Sequence, residues 1–595
     1  MSELLSRTDK EYIANLIPCD LPDWKKSWEE GYEIGKGIEI PETPFFKKYG
    51  VRNIADHLKM LGDEGKVMWK LLMGFADVEA EIEGMKAAQK FNEETGLRIS
   101  CVHQLPQNTV GVPKDKRENI PLALGFMLNE PEDWYNIATA SDVQAIYGDN
   151  HLGWPNAVYT TINSLKAGST YTGLIGHFFQ VAPGCPDEVW NQNENVKALG
   201  IVAAKHADKV IANSNMDDTA PAYFMDFASF LAWGKLERYI VSDLCKARYS
   251  YTFGNFTSNL LHMAAMVLAA SETFKTKDQP GMGFVNGNTV DSWDHHTAGN
   301  YSFQILEALM LVLVVRKYKV PCGYIPVPIN EKVTIPTLQE MLDMSCACQR
   351  TEEMAEYFEV LMDWTEVELL RDNLLDFSDK MFQNIMKGMK EAGVDITNPT
   401  EMLVVLKRMD PTRFERMFHP SIINDGKDQI VPLMPATLWE RSERLTESLV
   451  NGLKNTEYPE KIKGHRLCVV SGDIHYCGAL VISETIKRLG ADVFYGGNQL
   501  EAIDVLDIAD EQGITDICIS LHNGQALPYA KLLLQLASAR NKEYRFFMGG
   551  VLTSFEDESS AEPTDVTALI EELGIHTSVS VEGLLEKLTN QNVYS

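Results

Sequence analysis

From Arg466 onward, short apolar runs alternate with amphipathic segments almost without interruption: RLCVVS, ALVISETIKRLG, ADVFYGG, EAIDVLDIADEQG, TDICISL, LPYAKLLLQLASAR, RFFMGG and DVTALIEELG. A strand with no polar face has to be covered on both sides, and a parallel neighbour has to be reached by a helical crossover. The alternation therefore predicts a doubly wound, flavodoxin-like (Rossmann-like) α/β domain over residues 456–595. Few other arrangements bury that many apolar strands in so short a stretch.

A looser version of the same pattern fills residues 60–349. Candidate strands are LRISCVHQLP, WYNIATA, STYTGLIGHFF, KVIANSN, ARYSYTFGN, MGFVNGN and CGYIPVPIN, with helices such as NAVYTTINSLKAG and TSNLLHMAAMVLAASETF between them. At least seven such units suit a (β/α)8 TIM-type barrel better than one open sheet. Residues 1–59 read as an N-terminal helical lead. The charged, strand-free stretch 350–455 reads as a helical connector.

With 595 residues, several domains are expected. A formal net charge of −30 argues against nucleic acid, whose binders concentrate Lys and Arg to neutralise phosphates. The sequence reading finds no run of about eighteen apolar residues and no basic-then-apolar leader, so it expects a cytoplasmic protein with no membrane partner. Ten scattered cysteines read as reduced thiols. Cys346 and Cys348 are closely spaced, but no second Cys or His pair follows, so ordinary thiols are the better reading.

The candidate barrel strands end in polar or small residues: His103 and Gln104, His177 and Gln180, Asn213 and Asn215, Tyr251 and Asn255, Asn286 and Asn288, Asn330. The carboxyl ends of barrel strands form the ligand-binding rim, so the repetition points to a hydrogen-bonding mouth, although any one of these residues is also an ordinary turn former. In the C-terminal domain the first strand runs into Asp473, His475 and Gly478, the third ends at Ser520 and Leu521, and the fourth ends at Gly549 and Gly550. No glycine-rich phosphate fingerprint accounts for a histidine there. An imidazole on a loop with an acid two residues before it suits a metal ligand whose second nitrogen is held by the acid.

These residues carry a resemblance. The run DIHYCG, the Ser520 strand end ICISLHNGQ and the glycine pair of RFFMGG resemble the cobalamin-binding domain of base-off, His-on corrinoid enzymes. YSYTFGNFTSNLLHMAAMVLAASE is similar to the barrel of adenosylcobalamin-dependent carbon-skeleton mutases of the glutamate mutase type. The resemblance implies adenosylcobalamin as cofactor, with His475 as the cobalt ligand and Asp473 as its partner. It further implies Ser520, Gly549 and Gly550 as contacts to the nucleotide tail, with Gly478 and Leu521 as further cofactor-binding residues; here Ser520 is followed directly by Leu521, where the family has Ser-x-Leu. It implies an isomerase that rearranges the carbon skeleton of a small dicarboxylate by radical chemistry, acting as a homo-oligomer.

Such a substrate needs donors or cations at both ends. Candidates are Lys166, His177, Asn255 and Asn286, with Tyr171 and His103 of suitable type. Arg98 and Arg248 sit at strand beginnings, the wrong end for a barrel active site. Two rival functions share the cofactor: a corrinoid methyltransferase, with 350–455 as a helical cap, and a non-catalytic cobalamin carrier or sensor. The barrel lacks an evident zinc cluster for the first, and the large β/α region disfavours the second.

Overall fold

Eight parallel strands close into a barrel in the order in which they occur along the chain: β1 (Met68–Met73), β2 (Ile99–Gln104), β3 (Gln144–Tyr147), β4 (Tyr171–Thr172), β5 (Ile211–Asn215), β6 (Arg248–Phe253), β7 (Gly283–Asn286) and β8 (Cys322–Ile325). Pairing of Met68 with Gly323 and of Trp69 with Tyr324 joins β8 back to β1. The computed structural model describes residues 4–117, 125–180, 182, 184–217, 220–255, 257–288, 297–327, 336–423, 429–473, 476–497, 500–522, 524–540, 542–554 and 564–589. Side chains alternate along each strand, and Met68, Cys101, Ile146, Tyr171, Ile211 and Phe284 fill the barrel interior as one buried cluster.

Two strands escape the sequence reading and one expected strand is a helix. WYNIATA belongs to the helix Pro131–Thr139, which has Pro131 in its first turn and a reciprocal cap between Glu130 and Asp133. Its buried residues Trp134, Ile137 and Ala138 follow helical spacing. The real strand, β3, is four residues long. β1 was hidden by Lys70, a charged residue inside an otherwise apolar run.

The stretch expected to be a connector is divided between two units that meet at residues 436 and 437. The helix Thr365–Glu391 buries Val367, Leu374, Phe377, Met381 and Ile385, a stripe at helical spacing. It packs on the barrel helices Ala228–Arg238 and Leu260–Thr273. Farther on, the buried Glu415 carboxylate accepts hydrogen bonds from the Met225 N–H (2.7 Å), the Asp226 N–H (3.0 Å) and the Ser229 hydroxyl (2.7 Å). Asp226 in turn accepts from the backbone N–H groups of Leu433 (2.6 Å) and Met434 (3.0 Å) and lies 3.0 Å from His419 Nε2. Two buried carboxylates thus staple residues 411–436 to the barrel. The helix Thr365–Glu391 turns Glu366, Asp372, Asp376, Asp379 and Lys380 to solvent, which is why the sequence looked like a linker.

Among the described residues, the helix Thr297–Tyr318 has the apolar length that bears on the membrane question. Residues 298–318 are long and apolar enough to cross a bilayer by composition, and more than half of that window is buried inside the protein as an outer barrel helix.

The second unit contains five parallel strands: β9 (Arg466–Ser471), β10 (Asp492–Gly497), β11 (Asp516–Leu521), β12 (Arg545–Gly550) and β13 (His576–Ser578). They lie in the order β10-β9-β11-β12-β13, the flavodoxin-like arrangement expected, with an apolar cluster on each face. The helix Thr437–Leu453 belongs to this unit. It packs on the helix Cys477–Arg488, where Arg488 Nη2 lies 2.7 Å from Glu443 Oε1 and the Ser442 hydroxyl meets Cys477 Sγ at 3.1 Å.

Candidate functional site

At the barrel mouth, polar groups stand where the inward-facing rows of strands end. Lys70, on β1, is 1% exposed, and its Nζ lies 3.1 Å from His103 Nδ1 on β2. His103 Nε2 lies 3.1 Å from Asp149 Oδ1, in the loop after β3. That loop is held by neighbours: His151 Nδ1 lies 2.5 Å from the Asp149 carbonyl, and the Trp134 indole N–H donates to His151 Nε2 at 3.1 Å. Asn150 donates to the Pro106 carbonyl at 2.6 Å. Lys70 also sits over the Phe284 ring, 4.4 Å from its centroid, and 5.4 Å from that of Tyr171.

Burial lowers the Lys70 pKa to about 8, so its ammonium persists at neutral pH. Burial and the adjacent Lys70 charge push His103 below its ordinary value. Asp149 is pulled the opposite way: burial alone would raise it, but His103, His177 and Lys70 hold it down at about 2. A charged Lys70 donates to Nδ1, which leaves the imidazole proton on Nε2, facing the Asp149 carboxylate. The chain is therefore a cation and an anion joined through a neutral ring.

Across the mouth, Asn286 at the end of β7 donates to Asn255 Oδ1, just after β6, at 3.1 Å. The contact depends on Gly254, at φ +130, where a Cβ would stand 2.1 Å from the Asn286 carbonyl oxygen. The buried Asp217 carboxylate accepts the Gly254 N–H at 2.7 Å and pins the same loop. Asn286 Oδ1 and, at the end of β5, Asn215 Oδ1 are buried without a hydrogen-bond partner among the described residues. A buried acceptor left unmet is costly, so a water or a ligand donor placed against these two oxygens would be favourable. His177 lies in the 3-10 segment Ile175–Phe179 after β4, with its Nδ1 accepting the Trp154 indole N–H at 3.4 Å.

Of the four barrel residues expected from sequence, His177, Asn255 and Asn286 are thus on loops or strand ends at the mouth. Lys166 is not: it is exposed in the last turn of the helix Ala157–Lys166, ahead of β4 and so at the opposite end of the barrel. It leaves the list of mouth residues for that reason. Arg98 pairs with Glu352 at 2.8 Å and Arg248 with Asp278 at 2.9 Å, as expected for cations at strand beginnings. Tyr251 packs on Phe274 and away from the mouth, and Asn330 lies outside the described residues. Lys70, Asp149 and Asp217 were missed. A lone cation within VMWKLLM was a legible signal for the first; Asp149 follows a strand that was itself not recognised.

In the second unit the order of strands reverses between β9 and β11, and ligands in open α/β sheets bind in the crevice at that point. The loops on either side are tied together there. The Asp473 carboxylate, which follows β9, accepts the backbone N–H of His522, which follows β11, and Asp473 Oδ1 lies 3.8 Å from His522 Nδ1. Ser520 is buried at the end of β11, and among the described residues a Cβ on Gly478 would meet its hydroxyl at 3.5 Å, an ordinary contact. Gly549 and Gly550 have a more local cause: a Cβ would stand 2.7 Å from the Ser578 carbonyl oxygen and 2.3 Å from that of Leu521, respectively. Leu521 is core, its side chain packed under Gly472. His475 lies outside the described residues.

Among the described residues no three His, Cys, Asp or Glu side chains converge as a metal cage. Cys348 is buried, and burial raises its thiol pKa. The sequence matches no protein-family model and no curated protein.

Proposed function

We propose that the protein is an adenosylcobalamin-dependent isomerase that rearranges the carbon skeleton of a small dicarboxylate, of the 2-methyleneglutarate to 3-methylitaconate type. The supporting observation is that the motif residues Asp473, Gly478 and Ser520 converge on the carboxyl ends of β9 and β11, at the switch point of the sheet. In this reading a single side chain, His475, would hold the cobalt, and a cage of several protein ligands would not be required. Asp473, buried and hydrogen-bonded, has the character of a carboxylate that orients a neighbouring imidazole.

When bound, the cofactor supplies reversible hydrogen-atom abstraction. The chain's own part is to hold the substrate and keep other hydrogen donors away. The barrel mouth is suited to this in part: the Asn255 and Asn286 amides stand at it, and Lys70 offers a buried charge for a carboxylate. No nucleophile is needed.

Turnover of 2-methyleneglutarate by the purified protein with adenosylcobalamin, but not with methylcobalamin, is the expected result. Methyl transfer from methylcobalamin to an acceptor would replace the isomerase with the methyltransferase reading. For the cobalt ligand, electron paramagnetic resonance of the cob(II)alamin form with 15N-histidine protein should show nitrogen superhyperfine coupling that disappears in His475→Ala.

A further inference from the structure

We infer that Lys70 is the anchor for one carboxylate of the ligand held in the barrel, with His103 and Asp149 as its positioning residues. The inference rests on the dicarboxylate reading above but makes its own claim, that this barrel binds its anion through a lysine from the interior of β1.

An ammonium group removed from water is expensive unless it is paired, and nearly every buried Lys owes its place to a partner or a function. Lys70 is 1% exposed, and among the described residues its hydrogen-bond partner is the neutral ring of His103. The Asp149 carboxylate is one imidazole farther away. Beyond that contact the ammonium lies against the Phe284 and Tyr171 rings, which attract it more weakly than a carboxylate would. A carboxylate placed against Lys70 Nζ would complete the pairing.

The relay has a purpose in this scheme. Asp149 is far enough away to leave Lys70 free for the ligand, yet through His103 it keeps the ammonium from losing its proton in a buried setting. Gly148 makes this possible: a Cβ there would stand 2.2 Å from His103 Cε1, so only glycine lets the ring lie flat between the two charged residues. The other titratable groups facing Lys70 are Cys101 and Tyr171, both raised by burial and hence neutral, and His177 acts on His103 and Asp149 from beyond them.

Calorimetry with glutarate as the probe, in the absence of cobalamin, tests the assignment on the full-length protein. Lys70→Met should weaken glutarate binding about 100-fold while the unfolding temperature stays level or rises, because a buried charge has been replaced by an apolar chain. A lysine that only supports the fold would lower the unfolding temperature instead. Lys70→Arg should recover part of the affinity. In the wild type, binding should weaken as pH rises through about 8, where Lys70 loses its proton, and Asp149→Asn should move that limb to lower pH. Binding that is flat from pH 6.5 to 9.5, or unchanged in Lys70→Met, would overturn the anchor. Should Lys70→Met fail to fold, the wild-type pH profile and Lys70→Arg still decide. Loss of cobalamin binding or of turnover with the glutarate response intact would instead count against the isomerase and leave the anchor standing.

Discussion

The side-chain carboxylate of Asp473 accepts a hydrogen bond from the backbone N–H of His522, forty-nine positions later in the chain. It joins the loops on either side of the sheet's switch point. Because the donor is the main chain, the bond is indifferent to the His522 side chain. Asp473→Ala should leave a partly buried N–H unmet and cost about 1–3 kcal/mol of stability in the second unit, with hydroxocobalamin binding weaker by about 10 to 100-fold. His522→Ala should keep the bond and most of the stability. Denaturant titration and absorbance-monitored cobalamin binding on both variants are the measurements. Equal behaviour of the two variants would remove Asp473 from the organisation of the site.

The paired asparagines lead to a second prediction. Asn286→Ala removes the 3.1 Å contact to Asn255 that ties the ends of β6 and β7 at the mouth, and should lower kcat/KM by roughly 10 to 100-fold. Lys166→Ala changes an exposed helix end remote from the strand carboxyl ends, and should stay within about twofold of wild type. A large loss in Lys166→Ala would mean that the mouth has been placed at the wrong end of the barrel.

A third prediction concerns pH. Burial raises the Glu415 carboxyl from 4.5 to about 8, above its unfolded value, so the folded protein holds a proton there that the unfolded chain releases. Its contribution to stability is fully present below about 4.5 and declines as pH rises towards about 8. Buried His57 and His151, both lowered to about 4, act in the opposite sense between 4 and 6.5, so the raw pH profile mixes the two. The difference between wild type and Glu415→Gln isolates the carboxyl. The stability of the wild type relative to the variant should fall between pH 5 and 8 in denaturant titrations. A constant difference would mean that the carboxyl ionises normally.

The amount of this architecture that was legible in the sequence varied with how local its causes are. The β9 to β12 strands announce themselves because each is an unbroken apolar run, and the switch-point residues follow at their ends. β1 was lost because Lys70 breaks its run, and the break was itself the functional signal. β3 was displaced by WYNIATA, whose aromatic and β-branched residues look strand-like while Pro131 and the Glu130–Asp133 cap make it a helix. The Asp226 and Glu415 staples join residues almost two hundred positions apart, and no local pattern records such a pairing.

The boundary at 436 and 437 yields the last prediction. The sequence alone places the start of the C-terminal domain at residue 456, but the helix Thr437–Leu453 buries Leu438, Ser442, Thr446 and Leu453 within the second unit. Leu453 shares an apolar cluster with Tyr458, Ile462 and Ile486. Removing this helix uncovers one face of the helix Cys477–Arg488 and deletes the Arg488–Glu443 ion pair. Loss of two buried leucines at about 1.5–3 kcal/mol each should leave fragment 456–595 at least about 3 kcal/mol less stable than fragment 437–595. Fragment 437–595 should unfold cooperatively and bind hydroxocobalamin, and neither fragment should bind glutarate, whose proposed anchor lies on β1. Urea titrations followed by circular dichroism, with calorimetry for the two ligands, make the comparison. Equal midpoints for the fragments would return the helix to the status of a linker, and glutarate binding by either one would move the carboxylate site out of the barrel.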